Sequence, residues 1–138
     1  MCKVLYLAAD AEMPGVNSKS PAFMALPVKN VKPTLKQHFT QPNVAYIATA
    51  GCACGFFWSD CGLEDATREN DPEAFESTQV LIDYLSELLL NCEVVEAFGC
   101  WDQEWDKPVD KEVVFSMKDV RRDGMVVIPE QTRVRFVR

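Results

Sequence analysis

Two cysteines carry the sharpest chemical signal in this chain. Cys52 and Cys54 stand two residues apart in Gly51-Cys52-Ala53-Cys54-Gly55, and Cys61 follows seven residues later. The thiolate is both the nucleophile and the soft-metal ligand of cysteine chemistry. Sulfurs at i and i+2 in a glycine-rich turn can face one point, where zinc would accept them at about 2.3 Å. A zinc site wants further donors. Cys61 is the candidate third ligand, and His38, the only histidine, or Cys100 is the candidate fourth. The spacing is not that of a zinc finger, because there is no paired C-x-x-C and no second cluster. The same two sulfurs could instead act as attacking and resolving thiols, since a turn rich in backbone N–H groups favours the thiolate. The disulfide ring of a C-x-C pair would be strained. A third reading gives them no chemistry: small, apolar side chains that fill a tight corner.

These sulfurs need strands to position them. Residues 3–9 (Lys-Val-Leu-Tyr-Leu-Ala-Ala) and 43–50 (Asn-Val-Ala-Tyr-Ile-Ala-Thr-Ala) are nearly continuous apolar runs, the pattern of central strands buried on both faces. The second run feeds directly into the cysteine loop. A third strand is expected over 93–101. Between them, residues 72–91 read as the main helix, with Asp71 as N-cap, Pro72 at the first helical position, and Leu81, Tyr84, Leu85, Leu88 and Cys92 on one buried face. Asn91 would close that helix in a left-handed conformation. Strand, helix, strand in this order implies a right-handed parallel crossover. The prolines at 21, 27, 33 and 42 argue against a long helix there and leave room for a short strand near Leu26–Val31. Residues 112–117 fit either a short strand or a helical turn. Met125–Ile128 reads as a strand, as does Arg133–Val137, whose arginines suit an exposed edge. The expected fold is a single α/β or α+β domain: a mixed sheet of four to six strands with the 72–91 helix on one face.

In open parallel sheets, ligands gather beyond the carboxyl ends of the strands. On that topology Asp10, the cysteine loop, and Trp101 with Asp102 share one rim. Asp10 and Asp102 are then candidate catalytic partners of Cys52 and Cys54. Phe56, Phe57 and Trp58, together with Trp101, would form an aromatic lid that shields the thiols or binds a small molecule or protein. Asp102, Glu104 and Asp106, interleaved with Trp101 and Trp105, could bind a cation or a sugar, or form a solvated turn. Cys2, Cys92 and Cys100 fall in or beside the expected core and read as inert.

Composition narrows the partners. The 138 residues carry a formal charge of −7. That charge disfavours nucleic acid and anionic membranes, which require a positive surface. It is unevenly spread: residues 64–76 are acidic, and Arg121, Arg122, Arg133, Arg135 and Arg138 close the chain. The start of the sequence does not read as an export signal, and no apolar run approaches the ~18 residues of a membrane span. Six cysteines without such a signal are expected to be free thiols, metal ligands or redox groups in a cytoplasmic protein. P-loop, dinucleotide-binding and serine-elbow signatures are missing, and one histidine excludes a multi-histidine centre.

Met1–Asp10 and the run from Val44 to Phe56 resemble small uncharacterised bacterial proteins that share a strand followed by a Gly-Cys-x-Cys-Gly-Phe loop. The resemblance implies a bacterial, cytosolic origin and carries over no catalytic residue. Three functional readings follow from the residues: a thiol- or metal-dependent site, with zinc the candidate cofactor; a noncatalytic module that binds a small molecule or protein; and a structural domain that forms a homodimer.

Overall fold

The computed structural model describes residues 2–59 and 66–138. Cys61 therefore lies outside the described residues. In chain order the elements are β1 (Lys3–Ala9), β2 (Val16–Lys19), β3 (Ala22–Val28), α1 (Pro33–Lys36), β4 (Asn43–Ala48), α2 (Pro72–Leu88), β5 (Val94–Trp101), β6 (Lys111–Ser116), α3 (Met117–Asp123) and β7 (Thr132–Val137). The strands form one mixed seven-stranded sheet in the order β2-β3-β4-β1-β5-β7-β6. That is one strand more than the upper end of the expected range. The fold is α+β.

The two apolar runs become the middle of the sheet, β4 and β1, and β5 lies on the other side of β1. Leu5 faces Ile47 across one ladder and Gly99 across the other. Both pairings are antiparallel. Strands β4 and β5 therefore run parallel to each other, as the crossover through α2 requires, but β1 is threaded between them in the opposite sense. The expected common rim has to be corrected accordingly. The carboxyl end of β1, with Asp10, lies at the end of the sheet away from the cysteine loop. Its amino end, with Cys2 and Lys3, lies beside it.

Alternation along β1 sends residues to two cores. Leu5, Leu7 and Ala9 pack with Ala45, Ile47, Val95 and Ala97 beneath Leu81, Leu85 and Leu88 of α2 and Met117 of α3. Val4 and Ala8 face the other way and pack with Val44, Phe98 and Cys100 under Leu35 and Phe39, with Tyr6, Tyr46 and Trp105 at the margin. Helix α2 starts as its sequence indicates: the Asp71 carboxylate accepts from the Ala74 N–H at 3.1 Å and Pro72 opens the first turn. It ends earlier than expected. Leu89 caps it in the right-handed region at φ −72°, and Asn91 takes no left-handed conformation; among the described non-glycine residues only Gln103 and Gln131 do.

Other differences have local causes. Pro27 lies inside β3, which spans Ala22–Val28 and not the expected Leu26–Val31. It is tolerated because β2 pairs only with Ala22–Ala25, so the strand has a free side at Pro27. Residues 112–117 are both alternatives in succession, the end of β6 and the start of α3. Of Met125–Ile128 only Ile128 pairs, in an isolated bridge to Trp58. β7 is not an edge: it lies between β5 and β6. Its Arg133 pairs with Glu112 of β6 at 2.7 Å. Among the described residues no helix is long and apolar enough to cross a membrane.

Phe56, Phe57 and Trp58 are core residues, each under 5% exposed. They do not form an accessible lid, because Phe56 and Trp58 pack into the main core and Phe57 packs with Ala66 and Ala74. The six-membered ring of Trp58 lies against Gly99 in β5 and fills the space that a Cβ there would need. Gly99→Ala should therefore displace Trp58 and destabilise the fold by about 1–3 kcal/mol, the usual cost of overpacking. A urea titration followed by tryptophan fluorescence reads this directly; an unchanged midpoint would contradict the close packing.

Candidate metal site

The cysteine loop is built as a short mimic of a strand laid against the start of β1. The Ala53 N–H donates to the Lys3 carbonyl at 2.9 Å, and the Lys3 N–H donates to the Cys54 Sγ at 3.2 Å. On the other side of the loop, the indole N–H of Trp58 donates to the Ala53 carbonyl at 2.8 Å. Ala53 is thus fully buried with both backbone groups satisfied. Its neighbours are turned outward: Cys54 is exposed and Cys52 is half-buried. Thr49 closes the turn by donating to the Cys52 carbonyl from its N–H at 2.8 Å and from its hydroxyl at 3.1 Å. The two glycines have distinct reasons. Gly51 adopts φ +89°, and at Gly55 a Cβ would meet the Thr49 hydroxyl oxygen at 2.5 Å.

Lys3 is fixed by its side chain as well. Its ammonium lies 4.9 Å from the ring centroids of both Trp58 and Trp101 and pairs with Glu130 at 2.7 Å. A buried ammonium requires such partners. Cys2 follows from this anchor. Its carbonyl accepts from the Asp102 N–H at 2.6 Å, so the residue is held between the cysteine loop and the end of β5. The Sγ atoms of Cys2, Cys52 and Cys54 all lie within 4.8 Å of one another. Cys2, expected to be inert, is exposed and is the third member of the group. The signal that could have found it was its place one residue before β1, which becomes informative only once β1 is known to run against β4.

The other candidates are placed as follows. Asp102 lies at the correct rim, exposed, next to Cys2, but its carboxylate does not join the sulfurs; it accepts from the Gln103 N–H at 3.0 Å. Asp10 is at the far rim, where its carbonyl accepts from the Asn43 amide. Trp101 is half-buried and occupied with Lys3. His38 is fully buried, stacked on Phe98 with the rings 4.1 Å apart, and its Nε2–H donates to the Trp105 carbonyl. That environment explains why the lone histidine is not a ligand here: it fills the second core. Cys100 is also buried in that core, where burial, with the nearby Glu104 and Asp102 carboxylates adding to it, pushes its thiol up to about 12. Cys92 is buried at the end of α2 and donates to the Leu88 carbonyl at 3.2 Å; burial raises its pKa too.

The cysteines accordingly divide into two classes, and alkylation at neutral pH should separate them. Peptide mapping is expected to show Cys2 and Cys54 labelled first, Cys52 next, and Cys92 and Cys100 only after unfolding. Equal rates for Cys54 and Cys100 would contradict the arrangement. The same burial has a pH consequence. The folded-state pKa of Cys100 lies near 12 and that of Tyr84 is also raised to about 12 by burial, above their ordinary values of 9.0 and 10.0. Their neutral forms are favoured by folding. This stability is fully present below pH 9 and is lost as pH climbs from 9 through 12. Thermal melts over that range should show a falling Tm, and Cys100→Ala should reduce the part of the slope that begins near pH 9, leaving the share that Cys92 contributes.

No family model, curated protein or solved structure matches this chain.

Proposed function

We propose that Cys2, Cys52 and Cys54 form a binding site for one thiophilic metal ion, with zinc the ion that fits the donor set. The observation that carries the reading is the approach of three sulfurs, from the start of β1 and from the loop after β4, to within 4.8 Å of one another. Tetrahedral zinc with bonds of about 2.3 Å holds its sulfurs about 3.8 Å apart. Side-chain rotation can bring the three sulfurs to that spacing, because Cys2 and Cys54 are exposed. The N–H of Lys3 on Cys54 supplies the kind of outer hydrogen bond that orients a ligating thiolate.

Among the described residues three sulfurs supply the donors, with Cys61 lying outside them, so a fourth coordination position is left for a further ligand. Closed four-ligand zinc sites are structural, whereas an open position admits water or an external ligand. The site therefore suits reversible binding of an exogenous donor at the metal. Asp102, whose N–H donates to the Cys2 carbonyl, is a carboxylate at the same rim that could assist such a ligand. Asp10, at the opposite rim, takes no part.

Anaerobically purified protein titrated with zinc should bind one equivalent per chain. Cys2→Ser, Cys52→Ser and Cys54→Ser should each weaken binding by at least about tenfold, and the triple variant should bind none while its far-UV circular dichroism stays unchanged. Zinc uptake by the folded triple variant equal to that of the parent would overturn the assignment.

A further inference from the structure

The second face of the sheet carries a groove that the sulfur site does not use. It measures about 300 Å³ and runs between β1, β4 and the segments before α1 and after β5. Tyr6, Tyr46 and Trp105 form its walls and Leu35 lies within it, while Asn30 and Lys32 contribute polar ends. The two phenol rings lean together with centroids 5.4 Å apart, and the Lys32 ammonium stands 5.4 Å from the Trp105 ring. Mostly apolar and aromatic walls with a few convergent polar groups are the usual make-up of a small-molecule site, and this volume lies at the low end of that class. It suits a ligand of one ring.

Charge indicates which ligand. The protein is strongly acidic, yet no aspartate or glutamate occurs between Glu12 and Asp60, a stretch that carries Lys19, Lys29, Lys32 and Lys36. Three of those lysines, at 29, 32 and 36, are exposed on the segment that forms one lip of the groove. The opposite lip holds carboxylates. Glu104 is neutralised by Lys107 at 2.9 Å, and Asp102 is the acid whose charge reaches both tyrosines. Among the described residues Lys32 is the one charged side chain lining the groove itself. We infer that the groove binds a small planar aromatic carboxylate, its ring against Tyr6, Tyr46 and Trp105 and its carboxylate on the Lys32 ammonium. A charge-assisted pair at one end and ring contacts at the other fix both position and orientation.

The groove lining of Tyr6, Val28, Asn30, Lys32, Leu35, Tyr46 and Trp105 includes no cysteine, so the test uses the metal-free chain. Benzoate, benzyl alcohol and benzylammonium share one ring and differ in charge. Titration followed by amide and indole chemical shifts should show saturable benzoate binding that moves Tyr6, Tyr46 and Trp105, with benzyl alcohol binding more weakly. Lys32 is exposed, so Lys32→Ala should leave the fold intact and weaken benzoate binding about tenfold or more. Absence of saturable benzoate shifts, benzylammonium binding as tightly as benzoate, or unchanged benzoate affinity in Lys32→Ala would each overturn the inference.

Discussion

Lys3 is the residue on which the sulfur site depends. Its backbone supplies two hydrogen bonds that join the cysteine loop to β1, one to Ala53 and one to Cys54. Its side chain cannot move without leaving an ammonium buried between Trp58 and Trp101 and parting it from Glu130. Trp58 closes the circuit, because the same indole that stacks on the Lys3 ammonium donates to the far side of Ala53. Gly99 leaves the space in which that indole lies. Lys3, Trp58, Gly99, Trp101 and Glu130 thus hold one alanine in place, and the cysteines on either side of it face outward as a consequence.

The direction of β1 decides which functional groups meet. Had it run parallel to β4 and β5, Asp10 would stand beside the thiols and Cys2 would lie at the opposite end of the molecule. The antiparallel arrangement exchanges a hard carboxylate for a soft sulfur. The donor set becomes three thiols, and the chemistry it suits moves away from acid–base catalysis and toward thiophilic metals.

Much of the fold could be read from local pattern. The continuous apolar runs of β1 and β4 identify central strands whichever way those strands point, and the Asp71-Pro72 start of α2 is fixed by capping chemistry within four residues. The convergence of Cys52 and Cys54 was legible for the same reason, since it needs only a glycine-rich turn. Strand direction was not legible. An apolar run reads the same in both senses, and the long connection from β4 to β5 through α2 hides that β1 is inserted between them. The aromatic triplet Phe56-Phe57-Trp58 was misread for a related reason: its residues could cover a site or fill a core, and only the position of Gly99 and of the Lys3 ammonium distinguishes the two. The groove around Tyr6 and Tyr46 was missed because each tyrosine, seen alone, is one more apolar residue in a central strand.

Absorption-edge spectroscopy of the zinc-loaded chain tests the convergence of the three sulfurs most directly, because it counts the atoms bound to the metal. At least three sulfur scatterers at about 2.3 Å is the result that the proposed site predicts. A shell of nitrogen and oxygen atoms alone, or of a single sulfur, would contradict it.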